Sequence, residues 1–270
     1  MDKHTKANKE HWDEVVPINS ASDFYDLKGF RSGKSTLDPI EREEVGEVSG
    51  KSLLHLQCHF GLDTLSWARL GAKVTGVDFS DEAIALAQTL SRELGIEARF
   101  ICTDVYDLPK RLKDRFDIVY TAGGVLCWLK ELAPWAEIVA RTLKSGGIFY
   151  LRDSHPFLNV FDNERATRDL IVRYSYFHKA APMRWEPDGS YADRSAEVKN
   201  PTFEWTHSLS DIVNSLIAAG LRIDFLHEFP VLFHDHFSFM EKGRDGSWRL
   251  KGKKQTIPLM FSLRATRSSP

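Results

Sequence analysis

Between residues 50 and 153 the apolar positions alternate between two rhythms. Compact, mostly apolar runs at 52–57, 73–78, 98–104 and 116–122 have the composition of buried strands. Between them the apolar residues recur every three or four positions. Leu62, Leu65 and Ala68 form one helical stripe; Ile84, Ala87, Leu90 and Leu94 form a second; Leu132, Trp135, Ala136, Val139 and Leu143 form a third. Ser80, followed by Asp81 and Glu82, predicts the second helix's N-cap, and Gly95 predicts its end. A fifth strand is expected at 148–152, after Gly146 and Gly147. Further on, Ser208 or Ser210 caps a helix through Ile212, Val213, Leu216 and Ile217, which stops at Gly220. A sixth strand is expected at 221–227 and a last one at 257–265, antiparallel if it pairs within the sheet. Pro258 is tolerable near its start.

Strand and helix in this order predict an α/β fold. The expectation is a doubly wound, mostly parallel seven-stranded sheet, Rossmann-like, with its last strand antiparallel. Two stretches break the rhythm. Residues 1–48 are polar and read as irregular, with Trp12, Phe24, Tyr25 and Phe30 as aromatic anchors. Residues 154–207 are rich in aromatics, and 172–177 alternates like a strand. The second stretch leaves from the end of the fifth strand, where such sheets bind ligands, so it reads as an aromatic cap insertion. The expected organisation is an N-terminal lid segment at 1–48, a core at 49–153 and 208–270, and a cap at 154–207 that forms the acceptor pocket. If the sixth strand runs parallel to the first five, residues 229–255 form a second wall.

Composition narrows the function. Lys plus Arg number 36 and Asp plus Glu 38, so the chain lacks the basic footprint of a nucleic-acid binder. No run is long and apolar enough to span a membrane, and the first residues lack a signal peptide's apolar core, so a cytoplasmic location is expected. Cys58, Cys102 and Cys127 stand far apart and read as reduced thiols in small apolar packing.

The chemistry begins at two strand ends. Asp78 ends the second run and Asp104 the third, and ligands of this fold lie beyond the carboxyl ends of its strands. A carboxylate at the first place can take two ribose hydroxyls. One at the second can accept from an adenine amine, which points to an adenosine cofactor. The alternative is that both only cap helices or turns. The turn after the first strand discriminates between cofactors. In a Gly-x-Gly-x-Gly spacing this chain has Gln57, His59 and Gly61. Side chains there crowd a pyrophosphate, and Asp63 repels one. S-adenosylmethionine (SAM) has no phosphate and carries a sulfonium cation, so electrostatics favour it over NAD.

From Leu53 to Thr64 (LLHLQCHFGLDT) and from Val74 to Ser80 (VTGVDFS), the chain resembles the class I SAM-dependent methyltransferases. It is most similar to a bacterial small-molecule branch with a His/Gln-rich first motif. The likeness continues through Phe116 to Ala122 and Leu143 to Gly147. It implies that Gln57, Cys58, His59 and Gly61 line the methionine end of SAM. By the same likeness Asp78 binds ribose, Asp104 the adenine amine, and Phe79 and Val105 sandwich the adenine, while Thr121 and Ala122 close the site. In similar enzymes the N-terminal segment folds over the cofactor, which makes Tyr25 the candidate for the SAM carboxylate. His55, Gln57 and His59 stand where Asp, Gly and Gly are commoner.

Methyl transfer from a sulfonium is an in-line displacement, so positioning and desolvation do much of the catalysis. A base is needed when the acceptor arrives protonated. His155, just past the fifth strand, is the candidate to bind or deprotonate it; the alternative is a hydrogen-bonded loop histidine. Trp128, Tyr176 and His234 are candidates for the acceptor pocket. His234 and His236 have a His-x-His spacing without clustered cysteines or carboxylates, so no metal is expected. The expected reaction is methylation of a small-molecule thiol or hydroxyl. A SAM-using enzyme that cyclises or cleaves the cofactor is an alternative, as is a non-catalytic SAM-binding module. An NAD-dependent oxidoreductase is disfavoured by the missing glycines and by the lack of a Tyr-x-x-x-Lys pair. Oligomeric state is not legible.

Overall fold

The computed structural model describes residues 1–252 and 256–268. Three helices lead: α1 (Lys3–Ala21), α2 (Leu27–Arg31) and α3 (Pro39–Val45). The core follows as β1 (Ser52–Leu56), α4 (Leu62–Arg69), β2 (Lys73–Asp78), α5 (Asp81–Leu94), β3 (Ala98–Cys102), α6 (Leu108–Arg111), β4 (Phe116–Ala122), α7 (Leu132–Thr142) and β5 (Leu143–Ser154). The cap contributes β6 (Met183–Trp185) and β7 (Thr202–Glu204). Then come α8 (Leu209–Ala218), β8 (Leu221–Phe229), β9 (Met240–Lys242), β10 (Trp248–Leu250) and β11 (Met260–Arg267).

Among the described residues, seven strands form one sheet in the order β3-β2-β1-β4-β5-β11-β8. The first five are parallel, and β11 runs antiparallel between β5 and β8. Successive residues of each strand serve opposite faces. Leu54, Leu56, Val119, Phe149 and Leu263 pack against α7 and α8, while Leu53, Ile118, Tyr120 and Tyr150 pack against Trp67 of α4 and Val45 of α3. The doubly wound expectation is met, with seven strands and the last antiparallel. Ser80 caps α5 by accepting from the Ala83 N–H, and Gly95 closes it in a left-handed conformation. Ser208, rather than Ser210, caps α8. Strand β5 begins at Leu143, five residues before the expected start, and a register shift absorbs the Gly146-Gly147 stretch. The final strand starts at Met260, so Pro258 lies outside it.

Two expectations are corrected. The first 48 residues are not irregular. Asp2 caps α1 by accepting from His4 and Thr5, and Asp38 and Glu41 form a capping box on α3. Helix α1 buries only Asn8, Val15, Val16 and Asn19, so half of its buried set is polar and its apolar stripe is faint. Residues 172–177 do not form a strand: one bridge joins Val172 to Phe161, and Val172 and Phe177 stay exposed.

Helix α1 is tied to the cap by long-range hydrogen bonds. The Asn8 amide donates to the Phe203 carbonyl and accepts from its N–H, both at 2.7 Å. Glu14 accepts from the Lys199 and Asn200 N–H groups. On the core side, Lys9 pairs with Asp81 and the Ser80 hydroxyl donates to Asp13. Helix α3 is held by charge. Glu41 is 1% exposed at its side chain, lies 2.9 Å from Arg152 of β5, and accepts from the Tyr120 hydroxyl at 2.6 Å. Residues 253–255, at the end of the expected second wall, and 269–270, at the end of the core, lie outside the described residues. Among the described residues no helix is long and apolar enough to cross a membrane.

Candidate cofactor site

The turn after β1 has an unusual backbone. Gln57 has φ 57°, His59 φ 49° and Gly61 φ 75°, three left-handed residues at alternate positions. They occupy the three places of the glycine spacing. Although only Gly61 is a glycine, the backbone keeps glycine-like geometry at all three. A non-glycine residue in that region costs about 1–3 kcal/mol, so its surroundings must hold it. Here the Gln57 amide donates to the Val125 carbonyl at 3.0 Å, the Cys58 N–H donates to Val77, and the His59 N–H donates to Asp78 at 2.8 Å. Gly61 is required sterically as well, because a Cβ there would lie 2.7 Å from the Phe100 ring.

Asp78 stands at the end of β2 and is buried. Its second oxygen accepts from the Ser80 N–H at 2.9 Å. Burial pushes its carboxyl up to about 6, against the N–H groups that favour the charge. Asp63, in the first turn of α4, is likewise raised by burial to about 6. Asp104 is buried and accepts from the Tyr106 N–H at 3.0 Å, capping a short turn; burial raises it too. So Asp104 caps, Asp78 pins the cofactor turn and the chain entering α5, and both stand at the carboxyl edge of the sheet. Beside them Val105 is buried and Phe79 half-buried. The Thr121 hydroxyl donates to the Leu56 carbonyl, which fixes the end of β4 against β1, and Ala122 is buried next to it. Burial holds the Cys58 thiol well above its usual range and hence inert.

Over this turn lie α1, the segment after it and the cap. Trp12, Tyr25, His59 and Tyr191 meet here, the Tyr25 and Tyr191 hydroxyls are hydrogen-bonded, and Trp128 packs edge-on to Trp12 at 5.3 Å. The buried Asn19 contacts His59 and Tyr191. The donor set fits an adenosyl sulfonium amino acid better than a dinucleotide. Two carboxylates are available for hydroxyl and amine donors. The Gln57 Oε1 is buried without a partner among the described residues, as an ammonium acceptor would be, and Asp63 disfavours phosphate. Surface clefts of about 370 and 160 Å³, lined by Arg141 with Gly220 and Arg267 or with Leu112 and Asp114, lie at the opposite, amino edge of the sheet. Neither touches these residues.

Of the residues expected from sequence, the structure gathers Tyr25, Gln57, Cys58, His59, Gly61 and Asp78, with Trp128 alongside. It does not gather His155, Tyr176 and His234 with them. The contacts of His155 run to its own loop, β8 and β11: Nδ1 accepts from the Phe157 N–H, Nε2 lies 2.9 Å from Glu228, and the ring meets Phe261. Burial lowers its pKa, and Glu228 partly counters this. The Tyr176 hydroxyl accepts from the Leu209 N–H at the start of α8. His234 sits between Phe233 and His236, and burial lowers it to about 4. Among the described residues no group of three or more His, Cys, Asp or Glu is arranged for a metal. Asn19 and Glu204 escaped the sequence pattern. Glu204 lies on β7, next to Trp205, whose N–H donates to the Cys127 carbonyl beyond β4. It is half-buried, and burial pushes its carboxyl up to about 7 against a hydrogen bond from Thr202. Its only sequence signal was an acid between Phe203 and Trp205.

Comparison with known proteins agrees with this geometry. Residues 54–151, from β1 into β5, match the family described as "Methyltransferase domain". A curated relative, the ubiquinone biosynthesis O-methyltransferase of Xanthomonas euvesicatoria pv. vesicatoria (strain 85-10), is 30% identical over 152 residues. The match covers 55% of this chain and 63% of that protein, so it spans less than two thirds of the relative's length. An S-adenosylmethionine-dependent methyltransferase from Mesorhizobium loti superposes with a TM-score of 0.60 at 18% identity, over 88% of this chain and 100% of that one. The [4+2]-cyclase SpnF superposes with a TM-score of 0.58 at 16% identity, over 97% and 96%. At these identities the structural likeness speaks to the fold alone.

Proposed function

We propose that this chain, whose residues 54–151 match the methyltransferase-domain family, is a class I S-adenosylmethionine-dependent methyltransferase that methylates a small-molecule nucleophile. The observation that supports this is the left-handed turn at Gln57, His59 and Gly61, anchored on the buried Asp78 and carrying the unpaired Gln57 Oε1, with Asp104 at the end of the neighbouring strand. SAM supplies a methyl group already activated on sulfur. The chain's own residues bind and orient. In this proposal Asp78 accepts from the ribose hydroxyls and Asp104 from the adenine amine, with Phe79 and Val105 on the ring's faces. Gln57, Cys58, His59 and Gly61 line the methionine end, Tyr25 meets its carboxylate, and Thr121 and Ala122 close the floor. Residues 1–48 serve as lid and 154–207 as acceptor cap, with Trp128, beside Trp12, in the acceptor wall. The location proposed is the cytoplasm.

The relative's name specifies O-methylation, which favours a hydroxyl over a thiol as acceptor. A hydroxyl needs a base. His155 can serve only by giving up its contact with Glu228. Glu204, raised to about 7 and close to the loop after β4, is better poised. With a hydroxyl acceptor, kcat/KM should rise with pH and level off above about 7. Glu204→Gln should lower kcat by about 10²–10⁴ and abolish that rise. An unaltered profile in the variant would remove Glu204 from the reaction.

The fold also hosts a protein described as a [4+2]-cyclase, so methyl transfer has to be measured. Calorimetric titration with SAM, S-adenosylhomocysteine and NAD is the first test, and binding of NAD alone would overturn the proposal. S-adenosylhomocysteine as product supports transfer. Methylthioadenosine points to cofactor cleavage, and binding without turnover to a sensor module. SAM affinity should fall about tenfold per pH unit below about 6, as Asp78 takes a proton and stops accepting from both hydroxyls. Over the same descent this group favours folding, because the folded carboxyl takes its proton before the unfolded one does. A pH-independent affinity between 5 and 7 on the titration scale would argue against Asp78 as the ribose acceptor.

A further inference from the structure

We infer that Trp12, Tyr25, His59 and Tyr191 form a cation-selective subsite that holds the sulfonium of SAM and discriminates against neutral S-adenosylhomocysteine. This rests on the methyltransferase reading above. The four rings come from four separate segments: α1, the link to α2, the cofactor turn and the cap. They close into a circuit. Trp12 lies 5.1 Å from His59, His59 5.7 Å from Tyr25, Tyr25 6.2 Å from Tyr191, and Tyr191 6.2 Å from Trp12, centroid to centroid. Every pair is tilted or edge-on and none is stacked, so within the circuit no ring covers another face to face, and Phe60 backs His59 and Tyr25 at 4.3 and 4.5 Å. Aromatic faces carry negative potential and attract a cation, most strongly where water is excluded.

The circuit is also orientated. The Ser190 hydroxyl donates to the Asn19 Oδ1, which leaves the Asn19 amide nitrogen as the donor to His59 Nε2 at 3.3 Å. A nitrogen that accepts carries no proton, so His59 is neutral and does not repel a cation. Burial acts the same way, lowering the His59 pKa to about 3. The same Asn19 amide reaches the Tyr191 hydroxyl at 3.4 Å, and Tyr191 is bonded to Tyr25. One fully buried amide therefore sets the attitude of the cofactor-turn ring and a cap ring together. When the methyl leaves, sulfur becomes a neutral thioether and the attraction to the rings is lost. The product is then held less tightly than the substrate at this point.

The test is calorimetric titration of the whole protein with SAM and with S-adenosylhomocysteine. Wild type is compared with Trp12→Leu, Tyr191→Leu and Tyr191→Phe, each checked for folding by thermal melting. The leucine variants should lose roughly tenfold in SAM affinity and less than about threefold in S-adenosylhomocysteine affinity, while Tyr191→Phe keeps the wild-type ratio. Equal losses for both ligands would mean that the rings only pack against the ligand, and would overturn the inference. Should the leucine variants fail to fold, wild-type protein grown with fluorinated tryptophan weakens the Trp12 face without changing its shape. A fall in the SAM to S-adenosylhomocysteine affinity ratio then supports the subsite, and an unchanged ratio overturns it. A wild-type protein that binds neither ligand overturns the methyltransferase reading itself, and the subsite with it.

Discussion

Arg152→Met should lower the unfolding free energy by about 3–5 kcal/mol, the cost of leaving a buried charge without its partner. Glu41 is 1% exposed, and Arg152 is 2.9 Å away at 8%. Water does not reach the orphaned carboxylate, and the Tyr120 hydroxyl and the Asp38 N–H cannot neutralise it. The guanidinium also lies over the Phe233 ring at 4.9 Å, a contact that methionine replaces only as apolar packing. Chemical denaturation is the measurement. The double variant Glu41→Gln with Arg152→Met should recover part of the loss, since it removes the stranded charge. A single variant with an unchanged midpoint would show that the pair contributes nothing. The expected consequence reaches the site: α3 loosens, and with it the strand of chain whose Thr36 hydroxyl donates to Asp63 at the start of α4.

The second large effect is on binding. Asp78→Ala should weaken SAM by about 10²–10⁴-fold, because two hydrogen bonds to a charged carboxylate are lost at about 1.5–3 kcal/mol each. The His59 and Ser80 N–H groups lose their acceptor as well, so the turn relaxes from its left-handed geometry. The fold should suffer much less. Burial already holds this carboxyl at about 6, so its removal relieves a desolvation penalty. Calorimetry with SAM beside thermal melting separates the two effects. Unchanged SAM affinity would show that the ribose does not lie at Asp78.

The core was legible because its information is local. Ser80 before two acids and Gly95 after a 3.6-residue stripe mark α5 in any context, and the observed caps are those two residues. The lid was not legible. Helix α1 keeps its place through Asn8, Glu14 and Asn19, whose partners lie up to 195 residues away, and polar residues with distant partners leave no period in a sequence. Residues 172–177 failed for the opposite reason. Their alternation was genuine, but Val172 meets the chain at a single bridge and no second strand came to cover it. At the site, the carboxylates at Asp78 and Asp104 could be read from their position at strand ends. The circuit of rings could not, since Trp12 and Tyr191 become neighbours only once the cap has folded back. His155 stands out in the sequence by its place just after β5. Glu228, three strands of chain later, engages its outer nitrogen.

The hydrogen bonds that bind α1 to the cap have a mechanical meaning. Asn8 and Glu14 fasten the first helix to residues 199–203, while Lys9 and Asp13 fasten the same helix to the start of α5. One helix is thus a splice between the cap and the sheet's own layer of helices.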